Sequence, residues 1–163
     1  MQDLRTKSAE ALIRLHYRVL DELKGRNIIS AAHAPLGEYA EHLFAEAYDW
    51  QLSGQIFNAG FDATDKDGAR IQIKARRLTG PGSRQLNSIH KLKQNPFDKL
   101  AVVLFTPDLA VARAAIIPLD IVKERATYNP NTNSWRFLAE DAVWNLPNVQ
   151  DATERVRLTA REN

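Results

Sequence analysis

Residues 100–105, Leu-Ala-Val-Val-Leu-Phe, form an uninterrupted apolar run. A run without alternation is typical of a strand that is buried on both faces, as in the centre of a sheet covered by helices. Residues 111–117, which Pro118 closes, are predicted to form its neighbour. The chain has 163 residues, the size of one ordinary domain. We therefore expect one α/β domain over residues 1–163, with a mixed central sheet flanked by helices.

Two helices are predicted before the strands. Apolar residues recur at helical spacing over residues 11–23, and Gly25 is predicted to end this helix, so that residues 1–30 form an N-terminal helical extension. After a connector at residues 27–35, a second helix is predicted over Leu36–Tyr48. This second helix carries three acids, Glu38, Glu41 and Glu46.

Residues 61–76 have the pattern of a β-hairpin. Lys66-Asp67-Gly68 is a predicted turn in which Gly68 supplies a positive φ. Counting outward from this turn pairs Asp62 with Gln72, and Lys74 lies two residues farther along on the same face. The sequence therefore predicts that a carboxylate, an amide oxygen and an ammonium converge on one face of the hairpin. The opposite face is apolar and consists of Phe61, Ala63, Ile71 and Ile73.

These three side chains suit a site that binds a metal ion and a phosphate. Asp62 offers an anionic oxygen and Gln72 a neutral one, which are the ligands a hard cation such as Mg²⁺ prefers. A metal held there can polarise a phosphate and lower the pKa of a bound water. Lys74 can orient the attacking water or neutralise the transition state, and the helix at Leu36–Tyr48 can add an acid.

The stretch from Arg70 to Lys99 is strongly basic, with eight basic residues and one acid, Asp98. Such a patch is the electrostatic footprint of a phosphate-rich partner, although a solvated loop carrying lysines explains it equally well. The net charge of +2 does not by itself require a nucleic-acid partner. The candidate phosphate contacts are Arg76, Arg77, Arg84, Lys91 and Lys93.

The remaining segments carry weaker signals. We expect a short strand at residues 55–57, a helix at 119–125, a turn at 129–133, an edge strand at 135–138 and a last helix capped near Asp151. Trp135, Phe137 and Trp144 are interpreted as packing residues, and His33, His42 and His90 as incidental. The absence of cysteine excludes disulfides and thiolate sites. With no signal-peptide core and no apolar membrane span, we expect a cytoplasmic protein.

Four segments together resemble the PD-(D/E)XK nuclease superfamily, which has the restriction-endonuclease-like fold. They are Gly37-Glu38-Tyr39-Ala40-Glu41, Gly60-Phe61-Asp62, Ile71-Gln72-Ile73-Lys74 and the basic connection that leads to the strand at Leu100. The resemblance implies hydrolysis of nucleic-acid phosphodiesters, with DNA favoured, using Mg²⁺ or Mn²⁺ as a substitute. It also implies that Asp62 is the metal-binding acid and that Gln72 and Lys74 form the second half of the motif. A role in restriction or defence is an extrapolation from the same resemblance.

Two departures from the family pattern stand out. Gln72 occupies a position where the motif has Asp or Glu; the Gln-x-Lys variant is known in the superfamily, but it removes a negative charge from the metal. Residues 78–96 should hold a helix, yet their glycines and prolines leave room only for a short one near residues 86–93.

Three questions stay open from the sequence. The helical acid is Glu38 by the family motif, or Glu41, which lies at the border of the apolar stripe and reaches a site beside the sheet more easily. The alternative functions are a non-catalytic nucleic-acid-binding module on the same fold and a protein-interaction subunit that pairs through the helix at residues 11–23. A homodimer is a further open alternative.

Overall fold

The computed structural model describes residues 3–25, 36–53, 60–80 and 84–162. The expected connector at 27–35, which contains His33, and the expected strand at 55–57 lie outside the described residues. The helices are α1 (Ala9–Gly25), α2 (Leu36–Tyr48), α3 (Leu119–Arg125) and α4 (Thr153–Glu162). Each confirms a helix expected from the sequence. Within the described part of the chain, no helix combines the length and the apolar content that crossing a membrane requires.

A six-stranded sheet forms the centre of the fold. Its spatial order is β1 (Gln51–Leu52), β2 (Ala63–Thr64), β3 (Arg70–Arg77), β4 (Lys99–Phe105), β5 (Val111–Pro118) and β8 (Gln150–Asp151). A separate two-stranded hairpin consists of β6 (Thr127–Asn129) and β7 (Ser134–Arg136). Only the β3–β4 pair is parallel, and the other neighbours in the sheet are antiparallel. The expected mixed central sheet of an α/β domain is therefore confirmed.

The predicted hairpin register is confirmed near the turn. Ala63 pairs with Ile71 and Thr64 with Arg70, and Gly68 has the expected positive φ of 81°. The ladder ends there, because the N–H of Asp62 donates to the carbonyl of Ile71 at 2.8 Å. Asp62 is thus not in the ladder pair with Gln72 that the count from the turn predicted. Beyond Ile71, the β2-side edge of β3 has no strand partner among the described residues.

Two apolar clusters cover the two faces of the sheet. On one face, Ile71 and Ile73 of β3 pack with α2 and α4, in a cluster that includes Leu43 and Phe44. On the other face, α3 and residues 86–97 pack against β4 and β5. Every residue of the run 100–105 is fully buried, as its uninterrupted apolar pattern predicted. Because side chains alternate along a strand, Gln72 and Lys74 lie on the face of β3 opposite Ile71 and Ile73.

The prediction of a short helix at residues 86–93 is wrong. The segment runs beside the chain around β7, where the N–H of Leu86 donates to Phe137 and the N–H of Ile89 donates to Trp135. Only a 3₁₀ turn, Leu92–Gln94, follows. Leu86, Ile89 and Leu92 are three residues apart and all buried, a spacing that a bent, extended segment satisfies here as well as a helix would. The backbone bonds to β7 and its continuation replace the helical ones.

Candidate metal and phosphate site

Asp62 is held at the open edge of β3 by both its backbone and its side chain. Its Oδ2 accepts a hydrogen bond of 2.7 Å from the N–H of Ile73, a donor that a neighbouring strand would otherwise satisfy. Its carbonyl accepts a bond of 2.9 Å from the N–H of Ser53. Its Oδ1 accepts no hydrogen bond from the described residues. One carboxylate oxygen therefore fixes the side chain, and the second is left for a ligand.

Gln72 and Lys74 project from one face of β3, beside the edge at which Asp62 lies. The Oε1 atom of Gln72 is buried and has no hydrogen-bond partner in the described part of the chain. An unpaired buried acceptor costs about 1–3 kcal/mol, which a cation or a donor at this position would recover. The Nζ of Lys74 donates to the carbonyl of Ser88 at 3.2 Å. Burial lowers the pKa of Lys74, while the nearby charge of Asp62 acts in the opposite direction.

A cleft of about 590 Å³, the site cleft, brings these groups together with an acid from α2. Asp62, Gln72, Lys74 and Glu41 all line it. Glu38 is exposed and is not among the residues that line it, although its charge raises the pKa of Glu41. Of the two acids that the sequence left open, the structure therefore brings Glu41 and not Glu38 to Asp62.

The pKa values of both candidate ligand acids, Asp62 and Glu41, are raised. Burial is the main cause that raises the pKa of Glu41, followed by the charge of Asp62. Burial also raises the pKa of Asp62, against the hydrogen bond from Ile73 and the charge of Lys74. Two acids in a partly buried cleft, without enough positive charge beside them to balance both carboxylates, are typical of a site that receives a cation.

The donor set fits a hard cation. Mg²⁺ keeps several waters and is commonly bound through one or two carboxylates, which the oxygens of Asp62 and Glu41 supply. The unpartnered amide oxygen of Gln72 adds a neutral ligand. Across residues 3–25, 36–53, 60–80 and 84–162, no group of three His, Cys, Asp or Glu side chains is arranged to hold a metal. The candidate ligands are therefore the carboxylates of Asp62 and Glu41 and the amide oxygen of Gln72, because Asp21, which also lines the cleft, is paired with Arg77.

The five basic residues expected to contact phosphate fall into two groups, those paired with an acid and those that line a cleft without an ion pair. Arg77 forms an ion pair of 2.8 Å with Asp21 of α1, and Arg84 pairs at 2.6 Å with Asp141. Arg76 lines the site cleft. Lys91 and Lys93 are exposed and line another cleft. Arg76, Lys91 and Lys93 form no ion pair with any described residue, so these three are the cations left for a phosphate.

That other cleft, the second cleft, has a volume of about 800 Å³ and shares Gln72 and Lys74 with the site cleft. The sequence did not indicate this cleft, because Trp135 was expected to pack and His90 to be incidental. Trp135 does pack against the apolar core, and both residues also line the cleft. The turn cluster at residues 129–133 was the available signal. It folds β6 onto β7 and sets Tyr128 opposite Trp135.

No protein-family model matches the chain, and no curated protein matches it at a significant level. Its functional interpretation therefore depends on the chemistry of the clefts. The site cleft combines the carboxylates of Asp62 and Glu41 with an unpartnered amide oxygen and a buried ammonium. This combination can hold a divalent cation beside a phosphate and can stabilise negative charge that develops on it.

Proposed function

We propose that this chain is a magnesium-dependent nuclease that hydrolyses phosphodiester bonds of nucleic acid, with DNA as the favoured substrate. The observation that carries the proposal is that Asp62 and Glu41 line one cleft with Gln72 and Lys74. The order of α2, the β2–β3 hairpin and β4 supports a restriction-endonuclease-like fold as part of the same proposal.

Asp62, Glu41 and the amide oxygen of Gln72 would hold the cation. When bound, Mg²⁺ supplies Lewis acidity to the scissile phosphate and lowers the pKa of a coordinated water. The N–H of Ile73 keeps the Asp62 carboxylate in one orientation through Oδ2. A prealigned carboxylate loses little conformational freedom when a ligand binds, which favours affinity.

Lys74 acts on the phosphate side of the reaction. The Ser88 carbonyl holds its Nζ at 3.2 Å, which leaves donors of the ammonium available to an oxygen in the cleft. In a partly dehydrated site, a fixed cation stabilises the negative charge that develops on the phosphate oxygens. Its lowered pKa, which burial causes, also makes Nζ a better proton donor to a departing oxygen.

A second candidate function is a non-catalytic nucleic-acid-binding module. The neutral side chain of Gln72 favours it, because the cleft holds one negative charge fewer than the family motif provides. Within the described residues, no three acids or histidines are arranged to hold a metal, which favours this candidate as well. This candidate predicts binding of nucleic acid without cleavage.

The test is a cleavage assay with the full chain on supercoiled plasmid, circular single-stranded DNA and RNA. Each substrate is incubated with Mg²⁺, Mn²⁺ or EDTA. We expect cleavage with either metal and none in EDTA. Asp62→Asn and Lys74→Ala should each slow it by about 100-fold or more, because each removes a group that acts on the transition state.

Two outcomes decide against the proposal. Cleavage that proceeds unchanged in both variants would show that the activity arises elsewhere. Wild-type protein that binds DNA yet cleaves no substrate under any metal condition would favour the non-catalytic module. Lys66→Ala is the matched control, because Lys66 lies in the exposed hairpin turn outside both clefts.

A further inference from the structure

The second cleft is basic. Among the described residues that line it there is no aspartate or glutamate, whereas Lys91 and Lys93 contribute charges that no ion pair offsets. Arg70 also lines it, but its guanidinium is paired with Asp98 at 3.0 Å. A concave, basic surface without acids favours a ligand that carries phosphate.

Aromatic rings form one wall of the second cleft. The rings of Tyr128 and Trp135 lie 5.3 Å apart at 54°, and Tyr128 is 46% exposed. The Nζ of Lys93 lies 5.9 Å from the centre of the Trp135 ring. A half-exposed aromatic pair beside lysines is the arrangement with which proteins stack unpaired bases while contacting the adjoining phosphates.

Backbone hydrogen bonds join the aromatic wall of the second cleft to the loop that carries Lys91 and Lys93. Trp135 and Ile89 exchange two backbone hydrogen bonds, of 2.8 and 3.0 Å, which fixes the indole beside the loop. Lys91 and Asn95 both have positive φ values, 55° and 52°, on either side of the 3₁₀ turn. The left-handed backbone is unfavourable for a residue such as Lys91, though more accessible to Asn95, and it recurs where a loop is shaped for a ligand.

The second cleft is also connected to the site cleft. Gln72 and Lys74 of β3 line both, so a chain lying in the second cleft passes the ammonium of Lys74. The faces of bases in a duplex are already stacked on one another, whereas unpaired bases can lie against Tyr128 and Trp135. The ligand that fits both the rings and the lysines is therefore single-stranded.

We propose that the second cleft binds a single-stranded nucleic acid, with an unpaired base against Trp135 and Tyr128 and phosphates at Lys91 and Lys93. The inference rests on the proposed nuclease function and specifies its substrate as a single strand. Binding itself needs no metal. It can therefore be measured separately from cleavage.

The experiment measures binding of fluorescein-labelled oligothymidine and oligouridine to the full chain by anisotropy, in EDTA so that no cleavage occurs. Tyr128→Ala should weaken binding by about tenfold, and Tyr128→Phe, which keeps the ring, should not. Lys93→Ala should reduce the slope of log affinity against log salt by about 0.7, the contribution of one phosphate contact on a single strand. Lys66→Ala, in the hairpin turn, removes the same charge and should leave affinity and slope unchanged.

Tryptophan fluorescence locates the bound base. The chain has three tryptophans, Trp50, Trp135 and Trp144. The oligonucleotide should quench the wild type and Trp50→Phe, whereas Trp135→Phe should lose the quenching and keep most of the affinity. Thermal melting of each variant checks that the fold is retained.

Three results would overturn the inference. The first is no measurable binding of either oligonucleotide, and the second is equal affinities for the wild type, Tyr128→Ala and Lys93→Ala. The third is that a duplex or a free mononucleotide displaces the labelled oligonucleotide as strongly as an unlabelled single strand does. Failure of the proposed function differs from these results, because cleavage would then be absent while metal-free binding to this cleft persists.

Discussion

Replacing Asp62 by Asn or by Ala separates its structural role from its proposed catalytic role. The carboxylate accepts the N–H of Ile73 at 2.7 Å, and Ile73 is buried. Asn keeps an oxygen acceptor for this N–H, whereas Ala leaves it without a partner. Both variants remove the charge that a cation would need.

The size of the difference follows from this one hydrogen bond. A buried donor that loses its partner costs about 1–3 kcal/mol. For a domain of 163 residues, each kcal/mol shifts the melting temperature by roughly 2–4 °C, so Asp62→Ala should melt about 2–12 °C below Asp62→Asn. Burial raises the pKa of Asp62, so its ionised form is disfavoured in the fold. Asp62→Asn should therefore be at least as stable as the wild type at neutral pH.

The assay is thermal unfolding followed by circular dichroism at neutral pH, with the three proteins in EDTA. The comparison between Asn and Ala is internally controlled, because both variants lack the charge. Equal melting temperatures for Asp62→Asn and Asp62→Ala would refute the inference that this side chain supports the open edge of β3.

Three further predictions concern stability. The pKa of Glu41 is raised in the fold, so its ionisation destabilises the fold at pH values above the raised pKa. This penalty is absent below the unfolded pKa of about 4.3, where the side chain is protonated in both states. Glu41→Gln should therefore raise the melting temperature at neutral pH, and a gain that persists below about pH 4.3 would contradict this reasoning. Arg77 forms a bidentate pair with a carboxylate of α1, so Arg77→Ala should cost about 1–2 kcal/mol in urea unfolding and Arg77→Lys should recover only part of it. An unchanged urea midpoint in Arg77→Ala would contradict that estimate of the pair. A Cβ on Gly60, where φ is 77°, would lie 2.7 Å from the Cβ of Pro96, so Gly60→Ala should cost about 1–3 kcal/mol by the same method. Gly37→Ala, with open space around it, should change stability by about 0.5 kcal/mol or less, and equal effects of the two alanines would refute the steric argument.

The elements that frame the site follow from local sequence. The apolar run at residues 100–105 predicted a buried strand, and alternation with Gly68 in the turn predicted the pairing of Ala63 with Ile71. The amphipathic pattern of α2 predicted its bounds. In each case, one period of hydrophobicity or one turn residue is sufficient to specify the element.

The details of the site depend on tertiary contacts that local patterns do not encode. The count from the hairpin turn could not show that Asp62 leaves the ladder to bond Ile73, because nothing in residues 61–64 signals where pairing stops. The choice of Glu41 over Glu38 depends on how α2 is rotated against the edge of β3. The position of Glu41 at the stripe border indicated that it can reach the cleft, while motif similarity favoured Glu38.

The region beyond β3 was least predictable. The three-residue spacing of Leu86, Ile89 and Leu92 fits a helix as well as a bent segment that bonds to β7. The segment adopts the second form because β7 and the residues after it offer backbone partners that are distant in sequence. Trp135 packs against the apolar core as expected, and the same contacts make it a wall of the second cleft as well.

Two matched variants on one helix test most directly whether Asp62 and Glu41 form the proposed metal-dependent catalytic centre. Glu41→Gln and Glu38→Gln remove the same charge three residues apart, but only Glu41 lines the site cleft. In a time course of single-stranded DNA cleavage with Mg²⁺, we expect Glu41→Gln to lose activity by about 100-fold and Glu38→Gln to cleave like the wild type. Equal rates for Glu41→Gln and the wild type, or a loss of activity in Glu38→Gln alone, would contradict a catalytic centre at Asp62 and Glu41.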